Sequence, residues 1–320
     1  MENTTMENTR TKTTRNSLIL LLTAAIWGMA FVSQSKGMDY MHPFTFNGVR
    51  SLIGAASILV YILISRKIAG DKAAPLDWKL NVKAGLLCGI FLTIASTLQQ
   101  FGIKYTSVGK AGFITTLYII FVPMFGIFLK KKVAPVVWAA AVMAAVGMYL
   151  LCMTESLRLG AGDIMVFLCA IAFAIQIMTV DHYAARIDGA VVSCIQFTVC
   201  GVVCCIGALI WGQPTFGQLQ EGLGALLYAG VLSCGVGYTL QIVGQKGLNP
   251  TVAALIMSLE SVIATISGWI AYKIGFLTTD QTLTARQIAG CVIVFAAVIL
   301  VQLPPEWFRF GKSTVYKGLH

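Results

Sequence analysis

One carboxylate sits where charge is least expected. The stretch "SLESV" (258–262) places Glu260 near the middle of Thr251–Ile274, a run that is otherwise almost wholly apolar. A charged side chain inside a bilayer costs at least a few kcal/mol, so Glu260 is expected to face a bundle interior or a watery cavity. There it binds a substrate amine or carries a proton. The plainer alternative is a structural hydrogen bond that ties its helix to a neighbour. Arg50 is the second deep charge, about two turns into another apolar segment at roughly 1.5 Å rise per residue, with Asn47 one turn earlier on the same face. It pairs with Glu260, pairs with a substrate carboxylate, or snorkels to the outer rim. The segment begins near Pro43, which favours snorkelling.

Patterns that would signal catalysis or metal binding fail on inspection. "GAGD" (160–163) has the G-x-G-D form of an intramembrane aspartyl protease. Asp163 nevertheless opens a helix, where an N-cap accounts for it, and no second intramembrane aspartate partners it. "GKS" (311–313) has Glu306 where a P-loop needs its leading glycine, and no H-E-x-x-H occurs. The nine cysteines form no C-x-x-C pair, and Cys200, Cys204 and Cys205 have no His or Asp near them in sequence. They read as small membrane hydrophobes. No enzyme, metal site or cofactor is expected.

The elements that position these residues follow from composition. The 320 residues are 57% hydrophobic and 11% charged, with a mean hydropathy of +0.80; a soluble chain carries about 25% charged residues. An integral membrane protein is expected. A spanning helix needs about 20 mostly apolar residues. Ten candidates appear, at 17–35, 43–65, 80–103, 111–129, 134–153, 163–180, 189–211, 223–243, 251–274 and 286–303. The first reads as a retained helix, because no convincing small-residue cleavage site follows it. Pro304-Pro305 stops the last. Residues 1–16 and 304–320 are polar tails, both placed in the cytoplasm. The net charge of +10 does not call for nucleic acid, because the basic residues cluster in short loops as orientation signals do. With the N-terminus inside, Arg10, Lys12, Arg15, Arg66, Lys67, Lys72, Lys79, Lys83 and Lys130–Lys132 lie inside, against Lys36, Lys104, Lys110 and Arg158 outside. The second half of the chain carries only a weak bias.

The chain also matches itself. Residues 97–131 slide without a gap onto 239–273, a shift of 142. Thr97/Thr239, Leu98/Leu240, Gln99/Gln241, Gly102/Gly244, Lys104/Lys246, Gly126/Gly268 and Lys131/Lys273 then coincide. The third helix falls on the eighth and the fourth on the ninth, so each repeat holds five helices: 17–153 and 163–303. Five is odd, so the second copy enters from the opposite side. Inverted repeats are associated with alternating-access transporters, whose sites lie near the midplane between halves. The fold expected is an all-α polytopic bundle of ten transmembrane helices in two inverted five-helix repeats.

The shift places Tyr118 opposite Glu260 as a hydrogen-bond partner. Trp27 lies too deep for an interfacial belt and aligns with Phe173; with Phe31 it lines a cavity or packs in the core. Gln99 and Gln241 lie toward opposite faces, as polar latches of two gates or as ordinary interhelical hydrogen bonds. Gly85, Gly89 and the stripe Ala254, Ser258, Ser261, Thr265, Gly268 read as close helix packing. Gly230, Gly235 and Gly237 add flexibility or, more simply, packing.

These features resemble the EamA-type branch of the drug/metabolite transporter superfamily. The residues that carry the resemblance are "AAIWGMAFV" (24–32), "HPFTFNGVRSLIGA" (42–55) and "YTSVGKAGFITTLYIIFVPMFG" (105–126) in the first half. In the second they are "GDIMVFLCAIAFAI" (162–175), "GVGYTLQIVGQKGLNPTVAALIMSLESVIATISGWI" (235–270) and "QIAGCVIVFAAVILV" (287–301). The family often has proline after the glutamate of the ninth helix; Ser261 stands there instead, which removes a proline kink. The resemblance implies a secondary transporter of small metabolites such as amino acids, often outward. Its central cavity would lie among helices 1, 3, 4, 6, 8 and 9, in a bacterial cytoplasmic membrane. The expected partners are a small-molecule substrate, the lipid bilayer and protons, with the chain a monomer or homodimer. A non-transporting receptor or an intramembrane enzyme stays open at this point.

Reporters fused to the two termini should both read cytoplasmic, given the Lys/Arg distribution. A terminus that reads external would break the even helix count.

Overall fold

The computed structural model describes residues 2–70, 75–129, 135–152, 160–278, 281–282 and 284–302. Among them all regular structure is helical. The elements are α1 (Glu2–Gly37), α2 (Pro43–Ala69), α3 (Trp78–Ile103), α4 (Val108–Thr116), α5 (Tyr118–Phe128), α6 (Pro135–Cys152) and α7 (Ala161–Tyr183). They continue as α8 (Gly189–Gly207), α9 (Phe216–Glu221), α10 (Leu223–Leu227), α11 (Tyr238–Gln245), α12 (Pro250–Met257), α13 (Leu259–Lys273) and α14 (Ala285–Gln302). Among the described residues eight spans are long and apolar enough to cross a membrane, and the shorter apolar helices Pro135–Gly147 and Ala285–Leu300 join them. The Lys130–Lys132 loop, Arg158, Pro304-Pro305 and the 304–320 tail lie outside the described residues.

Helix starts follow from capping chemistry. Ser107 accepts from Lys110 N, Asp188 from Ala190 N and Val191 N, and Asn249 from Thr251 N. Each satisfies backbone donors that the first helical turn leaves free. His42 caps α2 through Nδ1, which accepts from Phe44 N at 3.3 Å. Burial, helped by the Lys104 charge, holds its imidazole below the usual range, which favours the neutral ring that cap needs. Asp163 departs from the expectation. Gly160 is the N-cap, and Asp163 is the third residue inside α7. Its carboxylate accepts from Gly160 N at 2.8 Å, from Thr106 Oγ1 at 2.9 Å and from Lys110 Nζ at 2.6 Å. It therefore also ties α7 to the start of α4.

Two spans are broken in mid-course, within one residue of matching points of the repeat. The fourth span divides at Leu117 into α4 and α5; the ninth divides at Ser258 into α12 and α13. No proline sits at either point. Short i→i+3 bonds tighten the turns instead: Leu117 N to Ile114 O, Ile120 N to Leu117 O, and Ser261 N to Ser258 O. Hydroxyls reinforce them, Thr116 onto Phe113 O, Ser258 onto Leu255 O and Ser261 onto Ser258 O, a back-bonding habit that bends helices. Ser261 thus accompanies a break without the family's proline. The eighth span is irregular in another way: Tyr228–Gly237 winds as a π-helix between α10 and α11, a form that recurs at functional sites.

Packing obeys an exchange of halves. The contact α3–α7 has its counterpart in α11–α1, and α4 and α5 on α7 have theirs in α12 and α13 on α1. The contacts α2–α8 and α6–α14 are their own counterparts, and α4–α13 is matched by α12–α5. Glycines show the closeness required. A Cβ at Gly102 would collide with Val166 and lie 2.8 Å from Gly162 O, while one at Gly244 would lie 2.8 Å from Leu20 and 3.2 Å from Asn16 O. These are the same seam read once from each half. The seam also shows that α1 and α7 correspond with an offset four residues greater than α3 and α11, as Asn16/Gly162 and Leu20/Val166 require. Gly85 and Gly89 lie against Ile195 and Val199, and Gly112 against Ser261 and Ala264. Gly230, Gly235 and Gly237 meet Ile53, Ser57 and Trp27 within 2.7 Å of an added Cβ, so they serve packing.

Gly102→Leu should therefore destabilise the protein by about 1–3 kcal/mol through overpacking. Gly217→Ala, where an added Cβ meets nothing within 4 Å, should stay within about 0.5 kcal/mol of wild type. Melting of both variants in detergent compares them; equal stabilities would contradict the close α3–α7 approach.

Candidate functional site

Both helix breaks open onto one central cavity. It is lined from the first half by Trp27, Phe31, Gln34 and Arg50, by Gln99, Thr115 and Tyr118 further along that half, and from the second by Phe173, Gln176, Ser233, Tyr238, Gln241 and Glu260. The free space among them is about 30 Å³, room for roughly two water molecules. Ligand sites run to roughly 300–1,000 Å³. The cavity is too narrow in this structure to hold a metabolite.

Tyr118 Oη donates to Glu260 Oε1 at 3.0 Å, and the two residues are 142 apart in sequence, the repeat shift itself. A residue that touches its own repeat counterpart must straddle the axis that relates the halves. Tyr118 is the first residue of α5 and Glu260 the second of α13, each just past its break. The N-terminal turn of a half-helix presents free N–H groups and a positive dipole end, which stabilises a carboxylate there.

Arg50 departs from the snorkelling expectation. It is 5% exposed and lines the cavity. Nε donates to Asn47 Oδ1 at 3.0 Å, and the guanidinium lies 5.6 Å from the Phe46 ring centre. A side chain offered a polar neighbour and a cavity need not reach for the rim. Neither Arg50 nor Glu260 forms an ion pair among the described residues, whose bridges are Lys36–Asp39 and Lys110–Asp163.

Aromatic rings shape the remaining wall. Trp27 stands 4.5 Å from Tyr238 between ring centres, and Tyr238 stands 4.9 Å from Phe197. Trp27 Nε1 donates to Ser233 O at 3.4 Å, within the π-helical stretch, and Gly237 leaves the space the indole occupies. Gln99 Nε2 donates to Thr115 Oγ1 and Gln241 Nε2 to Gln176 Oε1, both at 3.2 Å. Each bond stays within its own repeat. Gln34 Oε1, Gln176 Nε2 and Gln241 Oε1 are buried without a partner, so the cavity wall holds donors and acceptors to spare.

Sequence reasoning named Trp27, Phe31, Arg50, Gln99, Tyr118, Gln241 and Glu260, and all seven line this cavity. It passed over Gln34, Thr115, Gln176, Ser233 and Tyr238. The two glutamines carried the same signal as Glu260, a strongly polar side chain in an apolar run.

A family model described as the EamA-like transporter family matches residues 15–153 and again 160–303. The chain belongs to the EamA-like transporter family. Among its relatives is an uncharacterised transporter of Archaeoglobus fulgidus, 27% identical over 290 residues, covering 89% of this chain and 84% of that protein. The uncharacterised transporter YwfM of Bacillus subtilis is 24% identical, covering 91% of this chain and 94% of its own length. One solved crystal structure superposes with a TM-score of 0.71 at 16% identity, covering 93% of this chain and 99% of that chain; that likeness supports the fold. The protein is an integral membrane transporter with two EamA repeats, and both family and relatives place it among transporters rather than enzymes.

Removing the Glu260 carboxylate should leave the buried Tyr118 hydroxyl without a partner. Glu260→Ala is expected to lose about 1–3 kcal/mol, and adding Tyr118→Phe should return part of that loss. Melting of the two single variants and the double variant completes the cycle. Effects that add within about 0.5 kcal/mol would show that the contact carries no energy.

Proposed function

We propose that this protein is a secondary transporter that moves small amine-bearing metabolites, amino acids or related compounds, across the cytoplasmic membrane of a bacterium. It works by alternating access around the closed cavity, and export is the direction that the resemblance favours. The observation that carries the reading is the Tyr118–Glu260 contact: a buried carboxylate on the axis between two inverted halves, where both central helices are broken. Broken helices at the interface of inverted repeats are the usual setting of a transporter's binding site. Rocking the halves about that axis would uncover Glu260 to each side in turn.

Glu260 has two tasks in this scheme. As a carboxylate it attracts a substrate ammonium group, and as a carboxylic acid it carries a proton. A group exposed alternately to two compartments can exchange one cargo for the other, which couples substrate movement to a proton gradient. Tyr118 donates to the carboxylate and holds its orientation. The aromatic wall of Trp27, Phe31, Phe173 and Tyr238 would face the apolar part of the substrate.

A thermal-shift screen against amino acids and related metabolites identifies the substrate, because a ligand of the folded state raises apparent stability. Flux of that compound in proteoliposomes is then compared across a pH series for wild type and Glu260→Gln. The amide keeps shape and hydrogen bonding but cannot ionise. The variant should lose at least about tenfold in flux, equivalent to roughly 1.4 kcal/mol, and its pH profile should flatten. Superimposable curves would leave Glu260 a structural residue only.

A further inference from the structure

Two polar networks meet at Asn47. Its Oδ1 accepts from Arg50 Nε at 3.0 Å on α2. Its Nδ2 lies 3.1 Å from Ser96 Oγ and 3.3 Å from Thr97 Oγ1 on α3, and 3.2 Å from Cys204 Sγ on α8. Ser51, Ser96 and Cys200 extend the cluster, with Cys200 Sγ 3.4 Å from each hydroxyl. Asn47 is wholly buried. An amide nitrogen has two hydrogens, so these neighbours share them and fix the plane of the amide. Fixing that plane fixes the direction in which Oδ1 meets Arg50.

The consequence for Arg50 is geometric. Guanidinium carries five N–H donors in a rigid planar fork. Asn47 engages the one on Nε, at the back of the fork. The two terminal nitrogens make no hydrogen bond among the described residues, and the side chain lines the cavity. No carboxylate lies within ion-pair distance of it among those residues. A desolvated guanidinium without a counterion is costly, and a carboxylate that enters the cavity supplies two parallel charge-assisted hydrogen bonds to such a fork. Glu260, which lines the same cavity from the second half of the chain, is already engaged by Tyr118.

We infer that Asn47 is the positioning residue that aims Arg50 into the cavity as the receptor for a substrate carboxylate, leaving Glu260 for the amine. This rests on the transport reading above and narrows it: the substrate carries both charges, and the two ends are read by opposite halves of the molecule. The α3 and α8 groups that grip Asn47 hold the reader in place from outside the cavity.

The test uses purified full-length protein and titrations followed by thermal shift. The probes are the common L-amino acids, the carboxamide of each, and the amine left when the carboxyl group is removed. Wild type should bind at least one amino acid about tenfold or more tighter than its carboxamide, as a charge-assisted contact implies. Asn47→Leu should compress that ratio to within about threefold while leaving affinity for the decarboxylated amine within the same factor. Asn47→Asp should compress it too, because an anion beside Arg50 competes for the fork; this variant serves if Asn47→Leu does not fold. Ser96→Ala, which loosens the grip on Nδ2 and spares Oδ1, should lower the melting temperature and keep more of the ratio than either Asn47 variant. A ratio unchanged in both Asn47 variants would make Asn47 packing alone and overturn the inference. Equal wild-type affinity for acid and carboxamide, or no response to any carboxylate-bearing probe, would also overturn it. The transport reading survives those results if flux of another compound still depends on Glu260.

Discussion

A contact between a residue and its own repeat counterpart constrains the whole molecule. Tyr118 and Glu260 meet at 3.0 Å, so the axis relating the halves passes between them. Every other packing choice must respect that position. The helices α4 and α13 lie against each other there, close enough that Gly112 rests on Ser261 and Ala264. On the flanks α1 and α7 close in on the same pair of broken helices. Small residues at these crossings follow from the need for backbones to approach. The polar groups of the site then fall together because each half delivers its share to the axis.

The cavity wall combines groups that a bilayer would not tolerate separately. An uncompensated buried donor or acceptor costs about 1–3 kcal/mol, and a charge costs more. Gln34, Gln176, Gln241, Arg50 and Glu260 are assembled in one place and screened from lipid by α1, α7 and the aromatic rings. Stability elsewhere must support this concentration of polarity. The apolar core that surrounds Leu92, Ile119, Phe197 and Leu255 does so.

Much of this was legible in the residues. Spans followed from apolar length, and the offset that joins Gln99 to Gln241 also joins Tyr118 to Glu260. What escaped depends on neighbours distant in sequence. Arg50 looked like a rim residue because its depth was counted from Pro43, while the Asn47 amide that retains it is itself gripped from α3 and α8. The break at Ser258 was hidden because proline is the familiar sign of a bend, and here hydroxyl-to-backbone bonds accompany one. The π-helical turns of Tyr228–Gly237 leave no periodic signature in so apolar a stretch.

An inverted repeat with identical halves would be degenerate: shutting one mouth and shutting the other would be the same structure seen from opposite sides, at equal energy. The ion pair of Lys110 with Asp163 removes that equality. At the corresponding positions of the other mouth stand Val252 and Ser17, which have no charges to join. The contact of α4 with α7 therefore holds an ion pair that the corresponding contact of α12 with α1 lacks. Under the proposed alternating access, that difference makes the two end states unequal in energy.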